Sequence, residues 1–151
     1  MPYGGNDWLE ITKEEIIEPS LPICDPHHHY WDARVERTPY GRYLLHELLD
    51  DINDHNVTST VFIEARAMYN ADLEKNYKPV GEVEFVEGLS AASASGLYGK
   101  SRASSSIIGH ANLNLGNNVE PVLESLLEAS PRRFKGIRHI VAWDNDKAVD
   151  S

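Results

Sequence analysis

The chain has 151 residues, a mass of 17.0 kDa and a net charge of −10, from 14 Lys plus Arg against 24 Asp plus Glu. That length suits one domain with a real hydrophobic core, and the acidic balance lacks the electrostatic footprint that nucleic acid or an anionic membrane requires. A 41% hydrophobic content argues against wholesale disorder, the single Cys24 rules out an internal disulfide, and neither a signal-peptide pattern nor a long apolar run is present, so a soluble, cytoplasmic protein is expected.

In chain order, Thr12 followed by Glu15 is a capping-box pattern that predicts a short helix ended by Pro19. Leu21 to Asp25 reads as a strand. Leu44, Leu45, Leu48, Leu49 and Ile52 recur at helical spacing. Val57 to Ala65 is rich in β-branched residues and is the clearest strand. The polar stretch Arg66–Pro79 is long for a βα connection and reads as a lid or specificity loop. Val83, Val86 and Leu89 lie on one helical face, with Gly96 as the stop. The Ser/Ala-rich patch Ser90–Ser95 within that helix reads as close packing, not as a flexible joint.

Ser105 to Ala111 gives a third strand. Asn118 to Ser130 gives a helix with Val119, Val122, Leu123, Leu126 and Leu127 on one face and Pro121 in its first turn. Phe134 to Val141 gives a fourth strand. Strand–helix alternation of this kind implies an α/β fold of right-handed parallel βαβ units. No Gly-rich phosphate loop, nucleophile elbow or Cys-x-x-Cys is present, so Rossmann and P-loop readings are disfavoured.

The strongest chemical signal is LPICDPHHHYWD. Alternation along an extended segment would place Asp25, His27 and His29 on one face and Cys24, Pro26 and His28 on the other. Two imidazoles at i and i+2 can converge on one ion, and the carboxylate can orient a ring. A surface His cluster with no ion is the alternative. Glu64 and Arg66 share parity at the end of the second strand, so both can point toward one site; an ordinary ion pair at a loop start is the alternative. Arg138 and His139 have opposite parity, so only one should face the site. His110 is a further candidate at the same rim, against a purely structural role. Trp31 and Trp143 can line a pocket or pack under loops. His46 and His55 should face solvent. Cys24 should be inert on a buried strand with no basic neighbour.

The motif DPHHHYWD after a short strand resembles the Asp-x-His-x-His opening of the amidohydrolase superfamily, and more narrowly the amidohydrolase family 2 branch of metal-dependent hydrolases. TVFIEARAMY and FKGIRHIVAWD are similar to later strands of that branch, so the likeness runs from about Leu21 to Asp144. The resemblance implies the first part, about four strands, of a TIM-type (β/α)8 barrel over residues 21–151, with residues 1–20 as an N-terminal extension. It implies His27 and His29 as ligands of a divalent metal, most simply Zn2+, no such role for His28, and a supporting role for Asp25. It marks the end of the fourth strand as part of the site without deciding between Arg138 and His139, while Glu64 and Arg66 are further catalytic candidates from their shared parity alone. The implied activity is hydrolysis of a lactone or amide of a small molecule. A metal-independent lactonase or decarboxylase is the close variant.

A complete barrel of this type takes about 250 residues, and the family's remaining ligands come from later strands. The rival expectation is therefore a non-catalytic half-barrel that pairs with a second copy, as a homodimer, or with a missing partner half. Pro26 fits an edge strand, or a strand whose pairing has ended, and not the middle of a closed barrel.

Overall fold

The computed structural model describes residues 11, 14–33, 40–143, 145–146 and 148. It is an α/β fold built on one parallel sheet. The strands are β1 (Ile23–His28), β2 (Val57–Ile63), β3 (Arg102–Gly109) and β4 (Phe134–Ile137), in the spatial order β1-β2-β3-β4. The helices are α1 (Leu45–Ile52), α2 (Pro79–Ala94) and α3 (Glu120–Ala129), the last preceded by a 3-10 segment over Leu113–Val119. Sequential strand order with right-handed crossovers puts every connecting helix on the same side of the sheet. One core cluster results, joining Leu45 and Leu48 of α1, Val83 and Val86 of α2, and Val122 and Leu126 of α3 to Phe62, Ala103 and Ile107 of the sheet. On the other face, Val61, Ile63, Ser106 and Ile108 are only half-buried. No helix among the described residues is long and apolar enough to cross a membrane.

Local chemistry explains most of the element boundaries. The Glu47 carboxylate accepts the Leu44 N–H at 2.9 Å and starts α1. Pro79 opens α2, where a missing amide costs little, and Gly96 at φ 80° lets the chain turn away beyond it. Within the Ser90–Ser95 patch, Ser90 and Ser93 pack closely, while Ala91, Ala94 and Ser95 are exposed. Ser90 Oγ donates to Val86 O and Ser104 O, while Ser93 Oγ donates to Ser101 O and accepts the Ala103 N–H at 2.9 Å, tying α2 onto β3.

Several expectations are corrected. Thr12 lies outside the described residues, and Glu14–Ser20 contains no helix. A single capped turn with no apolar face packed on the core is too short to persist; Ile17 is 95% exposed. The first strand begins at Ile23 and continues through Pro26 to His28, which Pro26 permits because β1 is an edge. Cys24 is exposed, not buried, for the same reason. The fourth strand ends at Ile137, not Val141. Leu127 is 49% exposed and leaves the expected apolar face of α3.

The alternation expected across DPHHH also fails at one point. Asp25 pairs with Thr60 and His28 with Phe62, so three residues of β1 span two of β2 and the strand carries a bulge. Asp25 and His28 therefore both sit on the helix-facing side. The Asp25 carboxylate lies within electrostatic reach of His28 and Tyr43, and its Oδ1 accepts the backbone N–H of His27 at 3.0 Å. Asp25 does not share a face with His27 and His29.

Candidate functional site

The carboxyl ends of the four strands bring together most of the side chains singled out in the sequence. His27 and His29 remain partners past the bulge. Their Nε2 atoms are 3.1 Å apart and their rings meet edge-to-face at 4.9 Å between centroids. His29 Nδ1 is 2.8 Å from the Ile63 carbonyl, an acceptor, so His29 carries its proton on Nδ1 and presents the Nε2 lone pair toward His27. Burial lowers the His29 pKa, and the Arg138 charge lowers it further, which keeps the ring neutral near pH 7.

The fit to an ion can be judged from that spacing. Two nitrogens each about 2.0–2.1 Å from a tetrahedral ion stand about 3.3 Å apart. The observed separation of 3.1 Å is close to that value, with the two Nε2 atoms in direct hydrogen-bond contact with each other. The carbonyl behind His29 is the kind of support that metal-ligating histidines use. Among the described residues, no group of three or more His, Cys, Asp or Glu side chains forms a metal cluster. The chain supplies a pair of donors.

Glu64 follows the last residue of β2 and is 1% exposed. Its Oε1 accepts from Arg138 Nε at 2.9 Å, and its backbone carbonyl accepts from Arg138 Nη2 at 2.6 Å. Glu64 Oε2 is buried with no hydrogen-bond partner among the described residues. Both Glu64 and Arg138 lie within electrostatic reach of the His29 ring. The ion pair at this rim is thus Glu64–Arg138, formed across β2 and β4, and not the local Glu64–Arg66 pair. Arg66 takes φ 57°, so strand alternation has already ended and its side chain departs from that of Glu64. It is exposed and lines a neighbouring cavity.

That cavity has a volume of about 460 Å3 and is lined by Arg66, Tyr69, Lys75, Lys78, His110 and His139 among others. His110 Nδ1 lies 3.0 Å from the Arg138 carbonyl, an acceptor, and so carries a proton; its Nε2 is then an acceptor. His139 Nδ1 accepts the Leu113 N–H at 3.2 Å, which puts its proton on Nε2. The two rings stand edge-to-face, 5.5 Å apart. Arg138 and His139 both reach the strand-end rim, contrary to the parity expectation, because β4 stops at Ile137 and alternation no longer applies. Sequence reasoning missed Tyr69, Lys75 and Lys78; the only signal was the unusual length of the Arg66–Pro79 connection.

The remaining candidates are structural or peripheral. His28 is buried on the helix side, its Nε2 2.8 Å from Thr60 Oγ1 and 3.2 Å from Ser104 Oγ. Trp31 packs on Tyr43 through a stacked contact and a two-residue bridge, and donates Nε1–H to Tyr40 O at 2.9 Å. Trp143 is 76% exposed. His46 and His55 face solvent, as expected.

Comparison with protein-family models, with curated proteins and with solved structures returned no match for this chain. The functional reading therefore rests on the geometry above.

Proposed function

We infer that the chain carries the first part of a (β/α)8-type metal-dependent hydrolase site that acts on a lactone or amide of a small molecule. The observation that carries this reading is the His27–His29 pair at the end of β1, its Nε2 atoms 3.1 Å apart and one ring locked by a backbone carbonyl. The sequential parallel order β1-β2-β3-β4, with functional side chains at the carboxyl ends of the strands, supports the barrel lineage.

In this reading His27 and His29 hold a divalent ion, most simply Zn2+. When bound, such an ion polarises a carbonyl and lowers the pKa of a coordinated water. The chain's own residues supply the rest. The Ile63 carbonyl fixes the His29 ring. Arg138 holds Glu64 by its Oε1 edge and leaves Oε2 free to accept a proton or a hydrogen bond from substrate. His139 donates from Nε2 and His110 accepts at Nε2, giving the neighbouring cavity a donor and an acceptor of fixed identity.

Zinc titration followed by calorimetry tests this. Wild-type chain should bind the ion, and His27→Ala with His29→Ala should abolish that binding. A wild-type chain that binds no zinc and hydrolyses lactones equally well after exhaustive chelation would replace the metal by the two imidazoles acting directly on the carbonyl. The pairing reading has its own support, since β1 and β4 each present one edge unpaired among the described residues and Val61, Ile63 and Ile108 are only half-buried.

A further inference from the structure

The cavity lined by His110 and His139, reached from the rim through the Arg138 carbonyl that His110 contacts, has an unusual lining for a protein with a net charge of −10. Arg66, Lys75 and Lys78 contribute cationic groups, and no ion pair to any of the three exists among the described residues. No carboxylate lines the cavity among the described residues. Several of the neutral groups offer donors as well, alongside the acceptor Nε2 of His110. Tyr69 Oη is buried without a hydrogen-bond partner. Burial and the nearby Glu82 and Glu64 charges raise its pKa, so the phenol stays protonated and has a proton to give. His139 presents Nε2–H, as derived above. Asn112 uses its Oδ1 to accept the Asn114 N–H at 3.1 Å, which leaves its amide N–H groups available. Pro79, the first residue of α2, also lines the cavity.

Three cations on a surface loop are ordinarily just a solvated face. Here they line a half-open cavity together with an unsatisfied buried hydroxyl and several oriented donors, with His110 Nε2 as an acceptor among them. Such a lining stabilises a negative charge and leaves a neutral or cationic group with unmatched partners.

We propose that this cavity is an oxyanion-binding subsite, which receives the carboxylate or phosphate end of the substrate while the His27–His29 end of the site engages the scissile carbonyl. The subsite extends the hydrolase reading given above, which names the substrate's other end. Arg66 and Lys78 supply the charge, Tyr69 and His139 orient the oxyanion, and the Arg66–Pro79 connection sets specificity. Sugar lactones without an acidic substituent fall outside the substrate class, whereas a lactone or amide with a carboxylate or phosphate some way from the reacting carbonyl falls within it.

The test uses the whole chain in the presence of a chelator, so that zinc plays no part. Inorganic phosphate and malonate are titrated separately while backbone amide resonances are followed. At least one of the two should shift the amides of Arg66, Tyr69 and Lys78 saturably; which one does identifies phosphate or carboxylate as the oxyanion. Arg66→Gln with Lys78→Gln should weaken that binding by about tenfold or more, the loss expected when charge-assisted hydrogen bonds are removed. Lys100→Gln with Lys135→Gln removes the same charge elsewhere and should leave it unchanged. Should the first pair fail to fold, Lys75→Gln alone carries the same comparison. No saturable shift with either anion, or equal weakening by the control pair, overturns the proposal. Zinc binding measured separately on Arg66→Gln with Lys78→Gln should match wild type. In the wild-type chain, zinc binding without any saturable anion binding contradicts only the subsite, and anion binding without zinc binding contradicts only the metal reading.

Discussion

Arg138 joins three parts of the rim through one side chain. It neutralises Glu64, hydrogen-bonds the carbonyl that follows β2, and lies within electrostatic reach of His29. Arg138→Met would leave the Glu64 carboxylate buried without its counter-charge. The expected cost is about 2–3 kcal/mol in chemical denaturation, below that of a fully buried pair because the Arg138 side chain is 32% exposed. Glu64→Gln with Arg138→Met should recover most of that loss, since no uncompensated charge remains. His28 gives the pH dependence. Burial lowers its pKa to about 4 from an ordinary value near 6.5. Between those values the unfolded chain binds the extra proton and the folded chain does not, so stability rises with pH through that window and falls as pH drops from 6.5 toward 4. Measured under chelation, the metal-free chain should lose on the order of 3 kcal/mol across that range from this residue. His28→Phe should flatten the dependence.

Among the elements, α2 is the one that links the core to the cavity. Its Gly81 packs against the Arg66–Pro79 connection so closely that a Cβ there would stand 2.6 Å from Asn70 N and 2.8 Å from Met68 O. Both are backbone atoms and cannot rotate away. Gly81→Ala should therefore destabilise the chain by about 1–3 kcal/mol and displace the connection that carries Arg66 and Tyr69, visible as amide shifts confined to residues 66–79. The strands and α1 to α3 were legible in the sequence because β-branched runs and apolar spacing report directly on burial. The failures at the site have a common cause. Alternation was carried past points where the backbone stops being a strand: the bulge at Pro26–His27, the positive φ at Arg66, and the end of β4 at Ile137. Those are also the places where the site is built. Bulges and strand ends re-aim side chains, which is why His27 with His29, and Arg138 with His139, were identifiable by type while their partners were not. Glu64 meeting Arg138 is a contact across β2 and β4 that no local pattern encodes.

At the scale of the whole molecule, the sheet has helices on one side and, among the described residues, no strand paired beyond β1 or β4. Val61, Ile63 and Ile108 on the other side are only half-buried, and Ile140, Val141 and Trp143 beyond β4 are exposed. Unpaired parallel edges and uncovered apolar surface favour association. Sedimentation of the 151-residue chain should show a concentration-dependent dimer or larger species; a monomer at all concentrations would contradict the edge argument. The half-barrel reading and the hydrolase reading meet at the end of β1, where two imidazoles are already set at ligand spacing without help from any further strand. Zinc titration of the wild-type chain beside His27→Ala with His29→Ala, at neutral pH, tests that point most directly. Saturable binding of one ion per chain, lost in the double variant while its circular dichroism stays native, is the predicted result. Absence of binding in the wild type, or equal binding by both chains, would contradict it.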